Sequence, residues 1–430
     1  MKRTWIWFMA GPMILTACGL AKGEPSMSSE AFTLPSDGCV VFLGDVLVER
    51  GTFPELVESF VRIAYPENQT RFFQLGGVSA TPQSIAQVFD ADVLDFDPMP
   101  THAVVCVGLN IANMRNIEDE ELASFQVELE TMVTKIKSRD VQVTLLTPPS
   151  ADLNRNVRLK SLDYNTATVG RIAETIRKVA SAQGTGLVDW YGESLKQREV
   201  RRAGDPNFSF SRDGLRPQTE GNALVSALLL KSWGAQPLRD SITLDFKTGT
   251  VTSESGRVQA EKISDTEVRL RFDGFPLPWA MPRVRGETQS PDWFAMGMCD
   301  YSIRVQGLPN DALQVSGEGG SSRISKELLE AGYNLALAPA LTDAPATLRL
   351  NQLISTKNRL FTTRWIDQIA KKPSDPELNE AFAMLLKAYD LYHSGYVEII
   401  DKTARTLDVE LILRSEAPRG GRSETPVRSR

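Results

Sequence analysis

The chain has 430 residues, of which 42% are hydrophobic, and a formal net charge of −6. This length is enough for one large domain or for two to three smaller domains, each with its own core. The acidic balance argues against a nucleic-acid partner. Only two histidines occur, His102 and His393, which restricts general-base chemistry near neutral pH.

The first eighteen residues have the pattern of a targeting segment. Lys2 and Arg3 precede a short apolar run that Pro12 interrupts, and this run is too short to span a membrane comfortably. It ends in LTAC, which resembles the bacterial lipobox, in which the cysteine, here Cys18, is lipidated. An ordinary signal peptide is the alternative. We expect a signal peptide over 1–18, a flexible tether over 19–36, and an exported protein lipid-anchored to the envelope, in the periplasm or at the outer membrane.

The remaining cysteines are Cys39, Cys106 and Cys299. An odd and widely spaced set is not a disulfide framework, and it lacks the paired spacing of a zinc site. We therefore expect buried free thiols, and the sequence predicts no metal and no cofactor.

Residues 37–236 alternate between strand and helix patterns. Apolar strand-like segments cover 39–45, 70–77, 102–110, 141–149 and 185–191, and helical patterns cover 53–65, 119–138 and 163–182. Such alternation predicts a parallel sheet with helices on both faces. Ligands of these sheets bind at the carboxyl ends of the strands.

The pattern changes after Gly234. Short strands separated by turn residues predict a small antiparallel β domain over 237–345. Helical patterns dominate 346–414, with an interruption at KKPSDPE and a candidate final strand at DVELILR. The segment 415–430 is rich in Arg, Gly, Ser and Pro, a composition typical of a disordered tail.

Glycine-marked motifs stand at the ends of the first three strands. They read GDV at 44–46, GGVS at 76–79 and GLN at 108–110, and DGLR follows at 213–216. In this order they resemble the four sequence blocks of the SGNH (GDSL-type) hydrolase family: Gly-Asp-Ser, a glycine in an Asn-x-Gly context, Gly-x-Asn-Asp and Asp-x-x-His. The resemblance covers 37–236 and implies a flavodoxin-like three-layer α/β/α SGNH-hydrolase fold.

The resemblance also implies a role for each matched position. In the family the serine attacks the substrate, the histidine is its base, and the aspartate orients that histidine. The serine amide, the second-block glycine amide and the third-block asparagine side chain bind the oxyanion. In this chain Val46 matches the serine, Arg216 the histidine and Asp213 the aspartate. The amides of Val46 and Gly77 and the side chain of Asn110 match the oxyanion donors.

Two of these matches cannot perform the family chemistry. Val46 has no nucleophilic atom, and the guanidinium of Arg216 stays protonated at any working pH. His102 precedes the third strand, at the opposite end of the sheet, and His393 lies in the C-terminal helical segment. Loop serines at 79, 209 and 211 have no adjacent base and more often bond backbone groups. The sequence therefore predicts an esterase-like protein whose site is catalytically degenerate.

Two interpretations of function remain open at this point. The first is an ester or acyl hydrolase-type protein that has become a pseudoenzyme. The second is a non-catalytic envelope protein that binds a small acyl, acetylated-carbohydrate or anionic ligand in the old crevice, where Arg216 joins the donors of Val46, Gly77 and Asn110. The alternative to anion binding is that Arg216 pairs with Asp213 and closes the pocket.

The C-terminal segments contain aromatic residues with two interpretations each. The helical run LRLNQLISTKNRLFTTRW contains Lys357 and Asn358, and it places Arg364 beside Trp365. That pair fits either a stacking site for a carbohydrate or partner, or a packing anchor. Trp279 and Trp293 likewise fit either sugar platforms or core positions.

Overall fold

The computed structural model describes residues 32–89, 93, 99–280, 297–370, 376–404 and 407–416. The predicted signal peptide, the lipidation site Cys18 and most of the tether lie outside the described residues. None of the described helices is long and apolar enough to cross a membrane. The three cysteines that the sequence analysis expected to be free thiols are buried and unpaired, which confirms that expectation.

The first part of the chain builds a five-stranded parallel sheet. Its strands are β1 Cys39–Gly44, β2 Arg71–Gly76, β3 His102–Cys106, β4 Gln142–Leu146 and β5 Gly186–Val188. They lie in the order β2-β1-β3-β4-β5, which is the flavodoxin-like order. In register, Gly44 lies beside Gly76 and Cys106, so the carboxyl ends of three strands meet at one edge.

Helices cover both faces of this sheet. They are α1 Val46–Glu49, α2 Phe53–Ala64, α3 Pro82–Val88, α4 Leu109–Ala112, α5 Asp119–Lys137, α6 Val157–Ser161, α7 Gly170–Gln183, α8 Trp190–Arg202 and α9 Thr219–Ser232, with a π-helix over Asn165–Val169. Alternate residues of β1 enter different cores. Val40 and Phe42 pack in the core that contains α2 and α9, whereas Val41 and Leu43 pack in the core of α5 and α7. The predicted three-layer α/β/α fold is confirmed.

The second part of the chain forms two further sheets. Its elements are β6 Leu238–Asp245, β7 Thr250–Ser253, β8 Val258–Ser264, β9 Glu267–Phe275, β10 Cys299–Gln306, β11 Ala312–Gly317, β12 Gly320–Ser325, α10 Lys326–Ala331, β13 Tyr333–Asn334, a 3₁₀ turn at Leu335–Leu337, α11 Pro339–Thr342, α12 Pro345–Ala370, α13 Pro376–Ala404 and β14 Leu407–Glu416. The sheet orders are β13-β10-β6-β7 and β12-β11-β14-β9-β8. Antiparallel pairs dominate as expected, but β6 and β10 run parallel.

The last strand completes a sheet that begins far earlier in the chain. β14 lies between β9 and β11, with Leu411 beside Leu270 and Leu413 beside Val315. The predicted boundary between a β part (237–345) and a helical part (346–414) therefore separates β14 from the other strands of its sheet. β14 also extends to Glu416, so it contains the first two residues of the segment predicted as a tail.

Helices α12 and α13 pack against the parallel-sheet part. α12 contacts α2 and the edge strand β2, and α13 contacts α2. An edge strand presents unpaired backbone groups, and covering it prevents pairing with other chains.

Trp279 is a core residue. It is buried, donates its indole N–H to the Leu56 carbonyl at 2.9 Å and packs edge-on against Phe60. Trp293 and the side chains of Arg364 and Trp365 lie outside the described residues.

A buried ion pair joins α12 to α2. The Lys357 ammonium donates to both carboxylate oxygens of Glu58 at 2.6 Å and to the Phe72 carbonyl of β2 at 3.1 Å. Both side chains are fully buried. Burial lowers the pKa of Lys357, while Glu58 opposes that shift. Arg62 lies 3.7 Å from Glu58 and also pairs with Asp401 of α13 at 3.2 Å, so the cluster ties three helices together.

We predict that Lys357→Met destabilises the protein by about 3 kcal/mol or more, because it leaves the Glu58 carboxylate buried without its main partner. Far-UV circular dichroism during urea unfolding measures the change. The matched control is Lys402→Met, which removes the exposed Glu398 pair of α13 and should leave the unfolding midpoint unchanged. Adding Glu58→Leu to Lys357→Met should recover much of the loss. Equal midpoints for the two lysine variants would contradict this account.

Candidate active site

The buried carboxylate of Asp45 organises the carboxyl edge of the sheet. It follows β1, and its Oδ1 accepts the Leu47 amide at 3.0 Å, which caps the short helix α1. Its Oδ2 accepts the amides of Leu109 and Asn110 at 2.9 and 3.3 Å, just after β3. Gly44 is needed beside it because a Cβ there would lie 2.2 Å from the Cys106 carbonyl oxygen. One side chain thus holds the first and third sequence blocks together.

Burial determines the ionisation of Asp45. Removal from water raises its pKa to about 6, although the backbone amides of Leu47, Asn110, Leu109 and Gly108 act in the opposite direction. A carboxyl group that is fully buried pays a desolvation cost when it ionises, and hydrogen bonds to the charged form offset only part of that cost.

Val46 is the first residue of α1 and is the residue that the sequence resemblance matched to the nucleophile. Its side chain is half-buried and aliphatic. As the first helical residue it has an N–H without an intrahelical acceptor, so a backbone donor is present at this position.

The other two expected oxyanion donors already have partners. The Gly77 amide donates to the Gly44 carbonyl at 3.0 Å, which continues the pairing of β1 and β2 by one residue. The side-chain amide of Asn110 donates to the Ala80 carbonyl at 3.1 Å. Both bonds link the loop after β2 to its neighbours. The arrangement uses these donors to hold the loop rather than to receive a substrate oxygen.

Asp213 and Arg216 form a closed hydrogen-bonded loop. Asp213 Oδ1 accepts the Ser211 hydroxyl and the amides of Leu215 and Arg216 at 2.8 to 2.9 Å. Its Oδ2 accepts Nε of Arg216 at 2.7 Å. The two side chains are 38% and 55% exposed, so the pair lies at the surface and Arg216 is not a buried cation. Arg216, which the sequence resemblance matched to the histidine, thus makes a side-chain hydrogen bond to Asp213.

Contacts to a neighbouring loop hold this segment in place. The Asp152 amide donates to the Gly214 carbonyl at 2.7 Å, and Asn156 Nδ2 donates to the Asp213 carbonyl at 3.1 Å. Gly214 has φ of +83°, and a Cβ there would lie 2.8 Å from the Asp152 carbonyl oxygen. Glycine is therefore required by both conformation and space. Arg202 in turn fixes Asp152 through a 2.7 Å ion pair.

Asp213 is strongly acidic in this setting. Burial raises its pKa, but the amides of Arg216 and Leu215, the Arg216 side chain and the Ser211 hydroxyl outweigh burial and lower the pKa to about 2. The carboxylate is therefore ionised at neutral pH and bound to a permanent cation.

A cavity of about 490 Å³ opens beside the third block. Its wall includes Asn110 and Gly108, but not Val46, Gly77, Asp213 or Arg216. The other lining residues lie in the loop after β2, at the start of α3, in and beside α4 and on α5, and they are Val78, Ser79, Ala80, Thr81, Pro82, Val107, Ile111, Asn113, Phe125 and Glu128. Polar and apolar groups both line a space large enough for a small ligand.

The two histidines lie away from this edge. His102 begins β3, at the amino end of the sheet, and burial lowers its pKa. His393 lies on α13 and stacks on Phe73 with ring centroids 5.2 Å apart. Of the loop serines, Ser209 donates to the Ser211 carbonyl, which is the backbone-bonding role expected for such residues, whereas Ser211 donates to the Asp213 carboxylate. Ser79 is exposed in the turn after β2.

Sequence reasoning did not identify the Ala80 carbonyl, Asp152, Phe125 or Glu128 as part of this region. Phe125 and Glu128 lie on α5, where helical periodicity marks Phe125 as a core residue and gives no sign of a cavity. Among the residues that the structure describes, no group of three or more His, Cys, Asp or Glu side chains is placed to hold a metal ion.

We predict a pH-dependent stability difference between the wild type and Asp45→Asn. Since the folded-state pKa is raised to about 6, stability from this carboxyl is present below the unfolded value near 4 and is lost as pH rises through about 6. The wild-type unfolding free energy, after subtraction of the variant's, should fall by about 1 kcal/mol between pH 5 and pH 7. Urea titrations at each pH measure it. A flat or rising difference would show that Asp45 does not titrate there.

The fold can be compared with known proteins. No protein-family model and no curated protein matches the chain. A gut microbial diltiazem-metabolizing enzyme aligns with a TM-score of 0.69 at 16% identity, over 90% of this chain and all of that one. An alpha/beta hydrolase enzyme from the metagenome of Lake Arreo, Spain, gives a TM-score of 0.38 at 19% identity, over 48% and 99% of the two chains. A catalytic mutant of an acetylxylan esterase from Geobacillus stearothermophilus gives 0.39 at 15%, over 47% and 96%. The chain thus has a mixed α/β fold, and its architecture is similar over 90% of its length to that of the first of these enzymes.

Proposed function

We propose that this protein is an SGNH-type esterase relative that no longer hydrolyses esters and that binds a small neutral ligand beside the old site. The observation that carries the proposal is the 2.7 Å bond between Nε of Arg216 and Asp213. It places a permanently protonated group where the family has its base. Val46 removes the nucleophile from the same site.

Protonation states support the loss of catalysis. A serine-type mechanism needs a group that takes a proton near neutral pH, and a guanidinium does not release one in that range. The aspartate that would orient such a group is ionised and hydrogen-bonded to Arg216. The oxyanion donors of Gly77 and Asn110 are bonded within the protein. The proposed site therefore lacks a group for proton transfer and two of the three oxyanion donors.

The character of the cavity favours a neutral ligand over an anion. Glu128 lies in its wall, and Arg216, the cation of the anion-site hypothesis, does not. Asn110, Asn113, Ser79 and Thr81 offer hydrogen-bonding groups next to apolar surface. An acetylated carbohydrate combines hydroxyl groups with an apolar methyl, and it matches this mixture.

Export and anchoring belong to the same proposal. The apolar segment before Cys18 and its lipobox-like end support a lipid-anchored protein of the bacterial envelope. A tether between the anchor and β1 would let the binding domain reach ligands near the membrane surface.

We predict no turnover of p-nitrophenyl acetate above buffer and no covalent labelling by a serine-reactive phosphonate. Val46→Ser with Arg216→His should remain far below a working esterase, because Gly77 and Asn110 still bond to carbonyls of the protein. Hydrolysis rates and intact-protein mass measure both. Turnover or labelling of the wild type would overturn the proposed loss of catalysis, and robust activity of the double variant would show that the oxyanion donors are available.

We predict that an acetylated xylo-oligosaccharide binds in the cavity and that Val78→Glu abolishes binding, because it adds a charge to a wall that already contains Glu128. Isothermal titration calorimetry measures the affinity. The control is Val127→Glu, which changes an exposed valine of α5 that does not line the cavity. Binding of acetate or sulfate instead, lost in Arg216→Ala, would support the anionic alternative. Equal binding by both valine variants would place the ligand elsewhere.

A further inference from the structure

Helix α13 presents a long apolar face to solvent. Six large side chains on it are 42% to 68% exposed, and they are Leu378, Met384, Leu385, Leu391, Tyr392 and Ile399. At 100° per residue these positions fall within one sector of the helix, beside the sector that contains the buried Ile400 and Ala404. Scattered exposed hydrophobics are ordinary, but a continuous apolar face marks an interaction surface.

The face has the spacing of a helix–helix seam. Leu378, Leu385, Tyr392 and Ile399 recur every seven residues. Ala381, Ala388 and Gly395 follow the first three of them at a spacing of three residues, so small side chains alternate with large ones. Apolar residues at this 3-4 spacing are the pattern by which two helices pack along their length. A Cβ placed on Gly395 would meet nothing within 4 Å, so a partner can approach the backbone at that position.

We propose that this face, defined by Leu378, Leu385, Leu391, Tyr392 and Ile399, binds the same face of a second copy of the chain. A two-fold axis through the middle of the helix, near Ala388, would bring Leu378 opposite Ile399 and Leu385 opposite Tyr392. Each large side chain then faces another, as an isologous interface requires. The small residues between them let the two helix axes approach closely.

The size of the face suits a dimer. From Leu378 to Ile399 it extends over about 32 Å at 1.5 Å per residue. Two copies of six large side chains, each roughly half exposed, would remove on the order of 1,000 Å² from water, which reaches the lower bound of specific protein interfaces.

The charges beside the face argue against a lipid surface. At 100° per residue, the exposed Glu380 and Glu398 border the face together with Lys387 and Lys402, so acidic and basic side chains balance. Helices that lie on membranes carry mainly Lys and Arg next to the apolar face. A border without an excess of positive charge suits a second protein copy better.

Sedimentation velocity across a dilution series tests the proposal on the full chain with Cys18→Ala, which removes the lipidation site. We expect a dimer, and we expect Leu385→Glu with Tyr392→Glu to weaken self-association at least tenfold, because the change places charges in the seam. The control Val127→Glu, an exposed valine on α5, should remain dimeric. A monomeric parent chain, or a double variant that dimerises as tightly as the control, would overturn the proposal.

A cross-linking experiment does not depend on the folding of a charged variant. Ala388→Cys in the same background should form a disulfide-linked dimer under mild oxidation, since the three remaining cysteines are buried, whereas Val127→Cys should not. Equal cross-linking by both variants would overturn the two-fold arrangement. Flotation of the parent chain with phosphatidylglycerol vesicles as a monomer, lost in the double glutamate variant, would assign the face to a lipid surface instead.

Discussion

The arrangement of the candidate site depends on one buried carboxylate. Asp45 accepts three backbone amides from two strand ends, and it does so from a position with no access to water. Unpaired, those amides would each cost about 1–3 kcal/mol, so the position is constrained by folding whether or not chemistry takes place nearby. These hydrogen bonds do not depend on the side chain at position 46, so Asp45 is a structural residue of this strand edge.

A second constraint explains why the C-terminal parts are integral to the fold. The Lys357 ammonium is neutralised by Glu58 of α2 and bonds to a carbonyl of β2, the edge strand of the parallel sheet. Neither charge is stable in this interior without the other. β14 then enters the second sheet between β9 and β11. Helix α12 thus packs on the edge strand β2, and β14 pairs with both β9 and β11.

The sequence predicts local structure, but it does not predict contacts between residues that are far apart in the chain. Apolar runs that end in glycine predict β1, β2 and β3 and the sheet edge at which these strands end. This works because hydrophobic periodicity and turn residues depend on only a few neighbouring positions. Lys357 and Glu58 are 299 residues apart, and nothing in either neighbourhood points to the other. The bond from Asn110 to the Ala80 carbonyl could not be predicted either. The sequence shows that an asparagine is present, but it does not show whether its side chain binds a substrate oxygen or a carbonyl of the protein.

Under the proposed function, the site departs from the pattern of the SGNH hydrolases in two ways. Asp213 retains bonds from Ser211 and from the amides of Leu215 and Arg216, which do not depend on the arginine side chain. Its orientation would therefore survive a change at Arg216, and the departure proposed there is only in the type of side chain. The departure proposed at Gly77 and Asn110 is in geometry, because their donors bond to carbonyls that fix the loop after β2. A change of side chain can reverse the first departure, whereas the second requires the loop itself to move. The proposal of a binding protein without esterase activity therefore depends more on the bonds of Gly77 and Asn110 than on the identity of residues 46 and 216.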